Sequence, residues 1–177
     1  MGLCNSKQSV SPDIFAVDIS NVARHNYEGV YRYARFSNIY DGDTADIYFI
    51  NHLGDVSQNL ASEKNENIIR APFRFYGYDS AEMKPLKSLA DRDNHIKAAK
   101  ADKEYLTTLL SDKYYVVKFA ANEKYGRMMG IVWQVTDVSI SENNLSTHHE
   151  LTDQNQINLM MINSGHGKPY FGGKKEN

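Results

Sequence analysis

The stretch Arg74-Phe75-Tyr76-Gly77-Tyr78-Asp79-Ser80-Ala81-Glu82 opens as an aromatic-rich strand and then turns sharply. Side chains reverse direction at each residue of a strand, which predicts Arg74, Tyr76 and Tyr78 on one face, with Phe75 and Gly77 looking inward. The turn from Asp79 to Glu82 can then bring two carboxylates back beside the guanidinium. Taken by itself, such a ribbon fits a salt-bridged edge strand. What decides its meaning is the company it keeps along the chain.

Strand character begins near Tyr27, and Val30 to Phe36 is aromatic and alternating. Asp41-Gly42-Asp43-Thr44 follows and leads into Ala45 to Ile50, so that Asp-Gly between two strands predicts a hairpin turn. Residues 51–67 are polar and read as a long hairpin loop, after which Ile68 to Tyr78 forms one central strand. Pro85 to Asp112 predicts a helix, with Ala98, Ala101, Tyr105, Leu106, Leu109 and Leu110 as its packing stripe. Tyr114 to Ala120 and Arg127 to Val135 predict two further strands, joined by a turn at residues 122–126. Residues 139–153 form a polar insertion. Its His148-His149-Glu150 lacks the helical spacing of a zinc protease and reads as loop. Gln154 to Ser164 predicts a short amphipathic helix, before a glycine-rich basic tail. Short strands with one helix between the third and fourth, and no parallel crossover, predict an α+β fold. The expected form is a five-stranded Greek-key β-barrel of the oligonucleotide-binding (OB) type with two to three appended helices.

A chain of 177 residues, 24% charged and 41% hydrophobic, suits one soluble domain with a real core. Its formal net charge of -2 confines any nucleic-acid site to a local basic pocket. A single cysteine, Cys4, excludes an internal disulfide framework and a thiolate zinc site. The expected organisation is a tether over residues 1–26, a folded domain over 27–171 and a basic tail over 172–177.

Three blocks, Asp41-Gly42-Asp43-Thr44, Arg74 to Glu82 and Lys124-Tyr125-Gly126-Arg127, resemble the signature blocks of the staphylococcal (thermonuclease-like) nuclease family. They stand in the family's order, the helix falls in the matching gap, and the resemblance runs from about residue 30 to 171. It implies a Ca²⁺-dependent phosphodiesterase on an OB barrel, acting as a monomer on DNA and RNA and leaving 3′-phosphates. By the same resemblance Asp43 and Asp79 are metal ligands through their carboxylates, and Ser80 through its backbone carbonyl. Glu82 matches the general base, and Arg74 and Arg127 match the phosphate-binding arginines. Lys124, Tyr125 and Tyr170 match positions that contact the nucleotide. The chain departs from the family at Ala81, where proline is usual, and at Tyr170-Phe171, where a tyrosine pair stacks on bases.

The chemistry of these residue types agrees with that implication. Ca²⁺ takes oxygen ligands, which aspartates, a carbonyl and waters supply. Arginine's planar fork grips phosphate and stays charged, and a nearby carboxylate can orient a water or take its proton. Two other classes remain open: a catalytically silent nucleic-acid or protein-binding module of the same fold, and a lipid-surface adaptor. The complete set Asp43, Arg74, Asp79, Glu82 and Arg127 favours the enzyme.

The first residues, Met-Gly-Leu-Cys-Asn-Ser-Lys, place Gly2 and Ser6 at N-myristoylation spacing and Cys4 where palmitoylation commonly follows. One myristoyl chain holds a membrane only weakly, so Cys4 supplies the second signal. The expectation is a lipid-anchored protein at the cytoplasmic face of a cellular membrane, the plasma membrane.

Overall fold

A computed structural model of the protein describes residues 26–51, 68–89, 91–111, 113–121 and 126–172. The proposed acylation sites Gly2 and Cys4, Lys124 and Tyr125, which are expected to contact nucleotide, and most of the 51–67 segment therefore lie outside the described residues. Five strands form one ladder: β1 (Tyr31–Ser37), β2 (Thr44–Ile50), β3 (Ile68–Phe75), β5 (Tyr114–Phe119) and β6 (Met128–Val135). Their order β1-β2-β3-β6-β5 closes on itself, because β1 also pairs with β5. Closure removes exposed strand edges. The fold is therefore α+β with a five-stranded mixed sheet.

The sheet departs from the expected pattern at one joint. β3 and β6 pair in parallel, Phe73 opposite Met128 and Phe75 opposite Gly130, whereas an arrangement free of parallel crossovers was expected. The chain between them, containing α1 (Arg92–Leu109) and the antiparallel β5, is long enough to return β6 in the same direction as β3.

The central ribbon is also two strands rather than one. β3 ends at Phe75, and a short β4 (Gly77–Asp79) turns away to pair with β7 (Lys168–Tyr170). Gly77 supplies a φ of 93° that side chains resist, and this resets the alternation. Tyr78 consequently does not share an outer face with Arg74: it is buried, and its hydroxyl donates to the Gly42 carbonyl at 2.8 Å. Phe75 faces inward as expected.

Aromatic rings fill the barrel. Phe36 meets Phe73, Phe75 and Tyr115 at centroid separations of 5.5, 5.3 and 5.5 Å, and Tyr27 meets Phe49 edge-on at 5.1 Å. Burying one such side chain contributes about 1.5–3 kcal/mol.

On α1 the buried residues are Ala99, Asp102 and Leu106, with Leu110 just beyond the helix end, whereas Ala98 and Ala101 are exposed. Tyr105, Leu106, Leu109 and Leu110 pack on the core as expected, whereas earlier in the helix the inward positions are Ala99 and Asp102 in place of Ala98 and Ala101. The 139–153 insertion is more ordered than a polar loop. It carries two 3-10 turns, Glu142–Thr147 and Asp153–Asn155, and packs Leu145 on Val116 and Val135. His148 is buried there, its Nε2 2.8 Å from the Asp137 carbonyl and its Nδ1 accepting from the Glu150 amide at 3.1 Å. These contacts give it a structural place. α2 (Ile157–Asn163) then closes one end of the barrel, with Ile157 and Met161 in the core and Asn158 bonding the β6 backbone at Val132 and Gly130.

Candidate active site

Three segments bring the site together: the β1–β2 turn, the β3–β4 ribbon with the turn after it, and the start of β6. Thr44 lies opposite Arg74 in the β2–β3 ladder, so strand register alone sets Asp43 beside the guanidinium. Gly42 closes the turn. A Cβ at that position would stand 2.7 Å from the Cβ atoms of both Ser80 and Asp102, so glycine is required by close approach, without a left-handed backbone.

Asp43 is the centre of a connected network. Its Oδ1 accepts from Thr44 Oγ1 at 2.8 Å and from Arg74 Nη1 at 3.1 Å, and its Oδ2 accepts from the Ser80 amide at 3.1 Å. Arg74 Nη2 donates to Asp79 Oδ1 at 2.6 Å. Arg127 Nη1 stands 3.5 Å from Thr44 Oγ1, which ties the third segment to the other two. Asp43, Asp79, Arg74 and Arg127, together with the Ser80 amide, thus meet in one network.

The remaining residues are distributed differently. Glu82 is exposed at the end of the turn, and Tyr170 is half-buried in β7 opposite Gly77. Phe171 is 70% exposed and meets Tyr76 edge-on at 6.0 Å, which makes an accessible aromatic face beside the ribbon.

Three contributors were not assigned roles in the sequence. Asp41 caps the turn, its Oδ1 accepting from the Asp43 amide at 3.1 Å. Asp46 braces the same turn from the barrel side, accepting from Asn38 Nδ2 (2.9 Å), Tyr40 OH (2.9 Å) and Arg70 Nη2 (2.6 Å). The Asn38 bond above all, with those of Arg70 and Tyr40, holds the Asp46 carboxyl below its ordinary range. Asp102 is the third. An acidic residue within an apolar stripe is the signal that could have found it.

Electrostatics at Asp43 are unbalanced. Only 3% exposed, its carboxyl is pushed by burial from an ordinary 3.8 up to about 6, against the opposing pull of Arg74 and with a further push from Asp41. Because this folded value lies above the unfolded one, the resulting stability is fully present below pH 3.8 and lost as pH rises through about 6. Each pH unit between the two values is worth about 1.4 kcal/mol, so the loss is roughly 3 kcal/mol. In chelator, wild-type protein is expected to lose stability across that window, and Asp43→Asn to lose much less. Denaturant melts from pH 4 to 7.5 check this. Parallel curves for the two proteins would mean that the Asp43 charge is compensated.

The donor set fits a hard divalent cation. The network supplies two carboxylates on a rigid backbone, and a buried carboxylate short of positive charge is what such a cation would satisfy. Among the described residues no group of three or more His, Cys, Asp or Glu side chains is arranged to hold a metal, so a cation held here would need backbone carbonyl and water to complete its coordination. Compared with known proteins, the chain matches no family model and no curated protein.

Proposed function

We propose that the protein is a Ca²⁺-dependent nuclease of the staphylococcal-nuclease type, built on an OB barrel and hydrolysing phosphodiester bonds of DNA and RNA to leave 3′-phosphates. The observation that carries this reading is the single network joining Asp43, Asp79, Arg74, Arg127 and the Ser80 backbone. The closed five-strand ladder supports the OB assignment.

In this reading Asp43, Asp79 and the Ser80 carbonyl hold the cation, which when bound supplies Lewis-acid stabilisation of the phosphoryl oxygens. Arg74 and Arg127 share the charge that grows on those oxygens, a task suited to a fork that never deprotonates. Glu82, exposed to solvent, orients the attacking water or takes its proton as water adds to phosphorus and the 5′-oxygen leaves. The exposed ring of Phe171, with Tyr170, offers a surface on which a base can stack.

Incubating pure protein with single-stranded DNA or with RNA, in Ca²⁺, in Mg²⁺ and in chelator, tests the proposal. Cleavage is expected in Ca²⁺ alone, with Mg²⁺ a poor substitute. Undiminished cleavage in chelator or Mg²⁺ sinks the calcium assignment. Binding without cleavage in every condition makes the protein a silent module of the same fold.

Attachment to a membrane through acylated Gly2 and Cys4 belongs to the same proposal. No helix among the described residues is long and apolar enough to cross a membrane. Cell fractionation is expected to place wild type with membranes, to divide Cys4→Ser and to leave Gly2→Ala soluble. Firm membrane attachment of Gly2→Ala contradicts the acyl anchor.

A further inference from the structure

Asp102 is the one carboxylate that α1 turns toward the barrel, and it is 8% exposed. Both of its oxygens are engaged. Oδ2 accepts from the Ala81 amide at 3.0 Å, in the turn between Ser80 and Glu82. Oδ1 lies 3.0 Å from Nδ1 of His166, which follows α2 in the turn made by Gly165 at φ 80°. The His166 ring in turn stacks on Tyr105, one helical turn beyond Asp102, with centroids 4.5 Å apart and planes at 21°. The Asp102 Cβ also fills the space against Gly42. Helix α1, the segment after α2, the β1–β2 turn and the 79–82 turn therefore all meet at this one carboxylate.

That position bears on Ala81. In the family this chain resembles, proline usually stands there and stiffens the turn through its fixed φ; alanine has no such restraint but keeps an N–H. Here that N–H is held by a buried, charged acceptor whose other oxygen is fixed by a stacked histidine. Hydrogen bonds to charged groups are the stronger kind.

We infer that Asp102 and His166 form a positioning pair that fixes the 79–82 turn through the Ala81 amide and so aims the Ser80 carbonyl and Glu82. Neither residue touches the reacting atoms; both act through the backbone they hold. The catalytic consequence rests on the nuclease reading above, while the mechanical one does not.

The test compares wild type with Asp102→Ala, Asp102→Asn and His166→Phe, the last keeping a ring on Tyr105 while removing the hydrogen bond. Two quantities are read for each: hydrogen exchange of the Ala81 amide, resolved by NMR, relative to amides of β5 and β6; and kcat and KM on single-stranded DNA in Ca²⁺. Asp102→Ala is expected to lose Ala81 protection selectively and to lower kcat about ten- to a hundred-fold, as loss of a residue supporting a metal ligand commonly does. KM should stay within about twofold, because substrate contacts are not removed. Asp102→Asn, whose side-chain oxygen can still accept from Ala81, should recover both readouts, and His166→Phe should fall between. A purely structural role would lower melting temperature and raise exchange across the barrel, without rescue by asparagine or a kcat change in folded protein. Unchanged Ala81 exchange in folded Asp102→Ala overturns the inference. So does selective exchange with an unchanged kcat in an active enzyme. If wild type cuts neither DNA nor RNA, the nuclease reading falls, and Ala81 exchange alone still decides whether the pair holds the turn.

Discussion

Alanine at Glu82 or at Arg127 is expected to lower turnover on DNA about a hundred- to a thousand-fold while the protein stays folded; removing one electrostatic group at a phosphoryl or oxyanion site typically has that effect. Both are suitable for the test because neither is built into the core. Glu82 is exposed, and Arg127 is partly exposed, with its guanidinium 3.5 Å from the Thr44 hydroxyl. The two variants should differ in kind. Arg127→Ala removes charge that, on the nuclease reading, matters most as negative charge grows on the phosphoryl oxygens, so kcat should fall more than KM rises. Glu82→Ala removes the carboxylate proposed to act on the attacking water, and Glu82→Gln should recover part of the loss if orientation matters, and little if proton transfer does. Steady-state kinetics in saturating Ca²⁺ decide this. Near-native turnover in either folded variant removes that residue from the mechanism.

Arg74 demands a different experiment, because its loss strikes stability as well as chemistry. Its guanidinium is the shared partner of Asp43 and Asp79, at 3.1 and 2.6 Å, and its side chain is only 15% exposed. Deleting one member of a buried ion cluster leaves uncompensated charge and costs about 3–5 kcal/mol. For Arg74→Ala at pH 8 in chelator, a fall in melting temperature of roughly 6–20 °C is expected for a domain of this size. The loss should shrink toward pH 5, because an Asp43 carboxyl already raised to about 6 then takes up a proton in place of its lost partner. The double variant Arg74→Ala, Asp43→Asn should regain much of the deficit. A fall of only a degree or two at pH 8, or a pH-independent one, would mean that the guanidinium does not compensate these carboxylates. On the nuclease reading this tie has a consequence: a cation on Asp43 and Asp79 would share those carboxylates with Arg74, coupling metal occupancy to the arginine proposed to hold phosphate.

Much of this arrangement is legible in residue order. Alternation across Val30–Phe36 and Ala45–Ile50, with Asp-Gly between them, announces a hairpin, and β1 and β2 are antiparallel neighbours. Local pattern suffices there because short-range pairing is set by side-chain period and turn chemistry. The run from Arg74 to Glu82 likewise announces an arginine and two carboxylates on a rigid ribbon. Arg74 does meet Asp79 across five residues. The composition of the site, a pair of aspartates with two arginines and a glutamate nearby, is a property of the sequence.

Elsewhere long-range contacts override the local period. Alternation through Tyr76 and Gly77 puts Tyr78 outside; the positive φ of Gly77 and the pairing of β4 with β7 put it inside, against Gly42. Apolar counting on α1 selects Ala98 and Ala101; the buried face instead runs through Asp102, since a carboxylate with two hydrogen-bond partners can be buried and hydrophobicity does not register it. The parallel β3–β6 joint depends on a return path through α1 and β5, which no window of neighbouring residues contains. Residue order settles which chemical groups are available and which strands pair locally. The pairing of β6 with β3 decided that Arg127 joins Asp43, Arg74 and Asp79, because a contact between residues 44 and 127 exists only once the long chain between them has folded back.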